Sequence, residues 1–592
     1  MKHPARKLLS LLLSLAFTLT TASTALADDS TTTRGSASKD QNARTEMYVV
    51  TQTPGSDYPV FGAKNEPSGG VYYGRYTAGG RRSDGSWGLT NLDKMANESM
   101  VGHYLELNDT YGLEYWSYLF KEAIQDNNRA FLVSLNFIGE ASDCSAVSSG
   151  SYDSKLTKDF QYLNTLTCPV FLRVGAEMNC WEPRPGAAEY KAAFQHIANL
   201  VRANAPRVAI VFSVNYQSGN NEDMDSYYPG NEYVDWVGCS LYYNRTEHGT
   251  YKNDKFLGVG TVYGDPLLNV QQTVNLAKLH NKPIILTEGG SFHSIRGNDY
   301  SAFASERMDR ALSFLPMVYP QIKAIVTSNY DSGSQGNFDF EQNSTANAGY
   351  QHGASNNPTL RKTVGDTPSY YTKASVYGGA WEGVMKLAAY TYSADKLTAT
   401  WSVDGQNKAT VSEYPYAFSL DASALSSGRH TVKVTFSNGQ SKSQEFTSRA
   451  NNANPTPDKL YVNGAVQTPT VYKISDNNYF KLRDVAMLLN GSDKQFSLAY
   501  DASVGAVQVV TGQPYTPDGS ELAGQASGGK NAVASNDTLY INGARAEGLT
   551  VYQIDGNNYF KLRDLGQALD FYVGWDEATG SMIISGSSGY QG

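Results

Sequence analysis

Cysteine is scarce, with four in 592 residues at Cys144, Cys168, Cys180 and Cys239. Their spacing matches no C-x-x-C zinc pattern, and a chain this long does not depend on disulfides to build a core. Histidine is scarce too, and the 8 present never approach an H-x-H or H-E-x-x-H spacing. A metal-dependent hydrolase is therefore the least expected class, and neither metal nor cofactor is expected. Charged residues make up only 18%, with a net charge of −9, and no basic cluster follows the first few residues. That argues against nucleic acid or an anionic membrane surface as a partner. Beyond the N-terminus no apolar run is long enough to cross a bilayer.

The one long apolar run, Leu8 to Leu19, follows Lys2, Arg6 and Lys7 and precedes the small-x-small step Ala25-Leu26-Ala27. This reads as a secretory signal peptide over 1–27, so the mature chain is expected outside the cell without a membrane span. Residues 28–45 are rich in Ser, Thr and Asp and read as a linker. Tyrosine, by contrast, is abundant at 41 residues. Its flat, amphipathic ring suits sugar-stacking clefts and extracellular β-modules.

From 46 to 368 short apolar runs alternate with longer mixed stretches. The runs are Gly70–Tyr76, Met100–Leu107, Ala130–Phe137, Pro169–Val174, Val208–Val214, Val234–Leu241, Pro283–Leu286 and Ile322–Thr327. Several lack clean polar alternation, as strands buried on both faces do. Between them, Ala187 to Ala203 and Asp265 to His280 carry apolar residues at spacings of three and four. Eight such units predict an α/β protein with a (β/α)8 TIM barrel. A doubly wound open sheet ranks second, because no glycine-rich phosphate loop follows any strand.

The helical period fades after about residue 370. Residues 375–449 hold short alternating runs with turns at Asp404-Gly405 and Asn438-Gly439, the pattern of a small immunoglobulin-like β-sandwich. A linker over 450–458 then leads to an internal repeat within 459–588. Leu460-Tyr-Val-Asn-Gly464 returns as Leu539-Tyr-Ile-Asn-Gly543, and Asn477-Asn-Tyr-Phe-Lys-Leu-Arg-Asp484 as Asn557-Asn-Tyr-Phe-Lys-Leu-Arg-Asp564. Each copy reads as strand, turn, strand, short helix, then two strands. The repeat resembles the copper amine oxidase N-terminal-like domain, a non-catalytic module. Neither copy contains His or Cys, so copper is not expected. Lys481 and Lys561 sit at the helix starts, and polymer or cell-wall binding through these modules stays open.

Barrel chemistry belongs at the C-terminal strand ends. Phe171-Leu-Arg-Val-Gly-Ala-Glu-Met-Asn-Cys-Trp181 places Arg173, Gly175 and Glu177 on one side by alternation, with Asn179 and Trp181 beyond. The apolar Pro283-Ile-Ile-Leu-Thr-Glu-Gly-Gly290 ends in Glu288 and two glycines. Two carboxyls at neighbouring mouth positions are what glycoside hydrolysis requires. Tyr242 ends the sixth run, and Trp116, Trp181 and Tyr330 are candidate sugar platforms. His103, Asn136, Asn215 and Asn329 lie at or near other strand ends. Cys144 and Cys180 both follow strands toward the mouth, where a bridge and two free thiols are about equally expected.

These segments resemble glycoside hydrolase family 26, the β-mannanase family of the retaining barrel clan, over roughly residues 60–335. Arg173, Glu177, Asn179 and Trp181 match its fourth-strand segment. Tyr227-Tyr-Pro-Gly-Asn-Glu-Tyr-Val-Asp-Trp-Val-Gly238 and Lys282-Pro-Ile-Ile-Leu-Thr-Glu-Gly289 match its sixth and seventh. The resemblance implies Glu177 as acid/base and Glu288 as nucleophile. It also implies a secreted enzyme cleaving a β-linked polysaccharide, β-1,4-mannan first. One departure stands out: Ala176 occupies the position before the acid/base where the family usually has His. Rival readings are an endo-β-glucanase or β-xylanase on the same fold and a non-catalytic cell-wall carbohydrate-binding protein.

Overall fold

The structure, a computed structural model, describes residues 45–591 except 138–140, 182, 217–223, 244–263, 378–379, 382, 426–427, 449–450, 475, 502–505, 525, 536 and 538. The expected signal peptide, and the expected linker apart from Thr45, lie outside the described residues. Eight parallel strands close into a barrel: β1 (Val71–Tyr76), β2 (Met100–Glu106), β3 (Ala130–Asn136), β4 (Val170–Val174), β5 (Ala209–Asn215), β6 (Trp236–Tyr242), β7 (Ile284–Gly290) and β8 (Ile322–Thr327). Closure is direct, with Ala324 to Thr327 of β8 in register with Tyr72 to Arg75 of β1. Helices on the outside include α1 (Asp153–Thr165), α2 (Ala187–Asn204), α3 (Gln271–His280), α4 (Ser301–Val318) and α5 (Ser344–Asn356). In α2 the buried stripe is Tyr190, Phe194, Ile197 and Val201, the three-and-four spacing that drives a helix against a sheet. The expected Asp265–His280 helix breaks in two, because a short turn capped by the Asp265 side chain on Leu267 N ends at Val270 before α3 begins.

The barrel interior is graded from apolar to polar. Tyr72, Met100, Ala130, Leu132, Phe171, Ala209, Val211, Trp236, Ile285, Ala324 and Val326 form a dry inner cluster with contributions from all eight strands. Burying such side chains contributes roughly 1.5–3 kcal/mol for each large one. One layer nearer the C-terminal ends, Ser134, Arg173, Ser213, Ser240 and Thr287 replace them, all buried. A polar layer above a packed plug is what places chemistry at one end only.

The chain enters the barrel by way of another sheet. Strand Glu46–Thr51 pairs antiparallel with Tyr370–Lys373 and with Val384–Tyr390, which in turn pairs with Phe418–Asp421. The expected barrel start at 46 is therefore corrected: 46–51 belong to a sheet built mainly from residues after the barrel, with Met47 and Val49 in its core. A second sheet contains Ala399–Val403, Gln406–Val411, Gly428–Phe436 and Ser441–Ser448 in antiparallel pairs. Beyond it, six strands close a small barrel that includes Asn451–Pro455. That stretch, expected as linker, pairs with Val471–Ile474 and Lys530–Ala534, so backbone pairing overrides its loop-like composition. Each repeat copy carries its short helix, α6 (Leu482–Leu489) and α7 (Leu562–Leu569).

Candidate active site

Two backbone devices deliver the two glutamates. On β7, Leu286 pairs with Cys239 but Glu288 pairs with Ser240, so Thr287 is an extra residue. Ile284 and Leu286 pack into the outer core, and strict alternation would send Glu288 outward with them. The bulge re-aims it, leaving both Thr287 and Glu288 on the inner side. Thr287 Oγ1 shares a 2.9 Å hydrogen bond with Ser213 Oγ below. Gly289 follows at φ 135°, where a Cβ would stand 2.0 Å from the Leu241 carbonyl oxygen; only glycine fits.

At β4 the strand ends at Val174, and alternation does not carry Glu177 inward as expected. Glu177 itself adopts φ 63°, an unusual left-handed conformation for a non-glycine residue, held by its N–H on the Ser213 carbonyl at 3.0 Å. Its side chain reaches the mouth through a turn rather than as the next strand residue.

Arg173 joins the two. Its Nη1 donates to Glu288 Oε2 at 2.6 Å, and its Nη2 lies 3.9 Å from Glu177 Oε1. Nε donates to Ser213 Oγ at 3.1 Å, and Nη2 also bonds Ser240 Oγ, so the buried fork is fixed in its plane. Glu288 Oε1 accepts from the hydroxyls of both Tyr242 (2.7 Å) and Tyr330 (2.8 Å). Glu177 Oε1 accepts from Asn215 Nδ2 at 3.0 Å. Asn179 stands behind: its Nδ2 donates to the Asn215 carbonyl at 2.7 Å and its Oδ1 accepts from the Asn215 N–H at 2.8 Å.

These surroundings drive the carboxyls apart. Burial and the negative charge of Glu288 raise the Glu177 pKa above the ordinary carboxylate range, against the pull of Arg173 and the hydrogen bonds of Ser240 and Asn215. Burial also works against Glu288 ionising, but Arg173 and the hydrogen bonds from Tyr242, Arg173 and Tyr330 outweigh it and hold its pKa low. Both tyrosines are held protonated by burial and by Glu288, so they remain donors. The surroundings thus favour the acid form at Glu177 and the ionised form at Glu288.

Of the expected residues, Glu177, Glu288, Arg173, Asn179, Asn215, Tyr242 and Tyr330 converge. Tyr330 enters as a hydroxyl donor rather than as a sugar platform, with Tyr104 OH 3.4 Å behind it and the Tyr104 ring stacked on Tyr76 at 4.3 Å. His103 does not join them. Its neighbour Tyr104 takes the inward position, and the His103 ring packs 5.0 Å from Phe120, where burial pushes its pKa down to about 4. Trp116 stands edge-on to Tyr111 and Tyr115, with its indole N–H on Asp109 Oδ2 at 2.8 Å, rather than against the glutamates. Trp181 is half-buried just past the turn, and Asn136 donates to Glu106 at 2.7 Å. All four cysteines are free. Cys144 is buried in the core cluster that holds Tyr190 of α2, whereas Cys180 lies close enough to Glu177 for that carboxyl to help raise its thiol pKa.

The polar floor of Ser213, Ser240 and Thr287 was not anticipated; its signal was a small hydroxyl residue at the inward positions of β5, β6 and β7. Asn329, expected near a strand end, lies just past β8, and His293 was not singled out. Both are buried, and neither amide atom of Asn329 nor ring nitrogen of His293 has a hydrogen-bond partner among the described residues. Among the described residues the one trio with metal-ligand geometry is Asp309, His352 and Glu413. There His352 Nδ1 already bonds Asp309 at 2.9 Å, and Lys396 Nζ takes Glu413 at 2.5 Å.

No protein-family model matches this chain, and no curated protein does. Among solved structures it is similar to a Cellulomonas fimi endo-β-1,4-mannanase double mutant, at 13% identity and TM-score 0.37, covering 64% of this chain and 94% of that one. It is also similar to a family 26 β-mannanase from Bacteroides ovatus at 15% identity and TM-score 0.35, covering 50% and 92%. The catalytic domain of a Bacillus sp. JAMB-750 family 26 endo-β-1,4-mannanase stands at 15% and 0.38, covering 53% and 93%. At that distance no residue role is carried across.

Proposed function

We propose that this chain is a secreted retaining glycoside hydrolase that cleaves a β-linked polysaccharide, β-1,4-mannan first among candidates. The observation that carries the reading is the pair of carboxyls sharing one buried arginine, with their pKa values pushed in opposite directions. Glu177, kept protonated, donates its proton to the glycosidic oxygen as that bond breaks. Glu288, kept ionised, forms the bond to the anomeric carbon. Its Oε1 already accepts two tyrosine hydroxyls while, among the described residues, Oε2 accepts only Arg173, so Oε2 is the oxygen with a lone pair left for attack. Esterification removes the Glu288 charge that helped raise the Glu177 pKa, so that pKa falls and Glu177, its proton given up, stays ionised and ready to act as base when water arrives. It then takes a proton from water, whose oxygen displaces Glu288 and returns the free enzyme.

Ala176, 7% exposed beside the acid, gives a methyl where a substrate hydroxyl could otherwise meet an imidazole. That favours keeping β-glucan and β-xylan as second substrates. The test is product analysis on mannan, glucan and xylan, with the anomer released first read by proton NMR. The expected result is release of the β anomer first from one polymer, with Glu288→Ala losing at least ~10⁴-fold in turnover at unchanged circular dichroism. Full activity in that variant would refute the assignment.

A further inference from the structure

The C-terminal repeat holds a second place suited to a sugar polymer. The two copies meet where Asn477–Lys481 and Asn557–Lys561 pair antiparallel, with Phe480 opposite Phe560 and Lys481 opposite Tyr559. This is a local two-fold, and the ends are exchanged as well: Lys459–Val462 of the first copy pairs with Ser581–Ser585 of the second, and Ala506–Thr511 with Leu539–Ile541. Each side is therefore built from half of one copy and half of the other.

On one side this creates a groove of ≈ 290 Å³ whose walls include Asp458, Lys473 and Asn478 from the first copy and Lys561, Arg563 and Trp575 from the second. That is near the lower end of the ~300–1,000 Å³ typical of small-ligand sites. Asn478 Nδ2 donates to Asp458 Oδ2 at 2.8 Å, and Lys473 Nζ reaches the same oxygen at 3.4 Å, which fixes a row of polar groups along the floor. Trp575 is 44% exposed at the rim. The fold does not require an exposed indole there, yet the duplicated position repeats the feature. Phe496-Ser-Leu-Ala-Tyr-Asp501 aligns with Phe571-Tyr-Val-Gly-Trp-Asp576, and Tyr500 is 69% exposed. The Asn–Asp pair recurs as well, with Asn558 donating to Asp537. An exposed aromatic ring and an Asn–Asp pair thus occur on both sides of the two-fold.

We infer that this groove binds a neutral β-linked hexose polysaccharide, one pyranose face lying on Trp575 and its hydroxyls meeting the Asp458–Asn478–Lys473 row. A flat ring beside mixed donors and acceptors is the recognition chemistry of a sugar. Charge decides against an anionic ligand. Lys473 is paired with Asp458, Lys561 lies 3.9 Å from Asp564, and Asp476 lines the same groove as Arg563. The choice of a β-linked hexose rests on the reading of the barrel; the groove itself does not.

The test uses the full chain carrying Glu288→Ala, so that polymer stays intact, and measures retention on insoluble mannan and cellulose and mobility in gels containing glucomannan. Adding Trp575→Ala should weaken binding to at least one of these about tenfold, as loss of a stacking ring does, while Trp575→Phe keeps most of it. Trp575→Leu preserves apolar bulk without a flat face, and should behave like Trp575→Ala at an unchanged melting temperature. Equal retention with and without Trp575 would overturn the inference, as would binding to polygalacturonate in preference to the neutral polymers. If wild-type protein hydrolyses nothing but retention still depends on Trp575, the enzymatic reading fails and this one stands.

Discussion

The exits of β4 and β7 solve the same problem with different means. Both must turn a carboxyl over the barrel mouth. At β7 the chain stays in the sheet and inserts one residue, so that Glu288 remains in register with Ser240. At β4 it leaves the sheet and holds Glu177 at a positive φ. The electrostatic outcome differs accordingly. Glu288 sits directly on the Arg173 fork through one oxygen and takes two tyrosine hydroxyls on the other. Glu177 sits on the turn, farther from the guanidinium, with an amide as its near partner. The lesson is that distance from a shared arginine, 2.6 Å for Glu288 and 3.9 Å for Glu177, rather than residue type, separates the directions in which the two pKa values move.

Substitutions that strip one side and spare the other sharpen this comparison. Glu177→Ala should slow polysaccharide cleavage by about 10³–10⁴, yet aryl glycosides with good leaving groups, which need no proton to depart, should keep far more of their rate. Equal losses on both substrates would break the proposed division. Tyr330→Phe removes one donor from Glu288, and a fall of about tenfold in kcat/KM is expected. The sign on pH follows from the direction of the shift. Because the hydroxyl lowers the Glu288 pKa, its loss raises that pKa, and the acid limb of the pH–rate profile should move up while the basic limb, set by Glu177, stays. The smallest effect belongs to His103→Ala. It should leave kcat within about threefold while costing about 1–3 kcal/mol of stability, measurable by urea denaturation, because the ring fills core space against Phe120.

Much of this was legible in the sequence. All eight barrel runs fall within a few residues of the observed strands, because strands covered on both faces leave dense Val, Ile, Leu and Phe blocks. Glu177 and Glu288 were legible because each closes such a block. Their orientation was not. Alternation gives the right answer for Arg173, but a bulge at Thr287 and a left-handed residue at Glu177 are backbone events that no side-chain period reports. His103 was misplaced for a related reason: strand ends look alike in sequence, and only register shows that Tyr104 takes the inward position. Glu46–Thr51 and Asn451–Pro455 failed differently. Their partners lie far along the chain, such as Tyr390 opposite Glu46 and Ala532 opposite Asn451, and no local pattern reveals such pairing.

The most direct test is to titrate the two carboxyls themselves, by carbon NMR of protein labelled at the glutamate side-chain carboxyl, assigned with Glu177→Gln and Glu288→Gln. The account predicts two steps that straddle the ordinary glutamate value of about 4.3: Glu288 below it, Glu177 above it, and the Glu177 step falling when Glu288→Gln removes the neighbouring charge. Two carboxyls titrating together near that value, or a Glu177 step indifferent to Glu288, would contradict it.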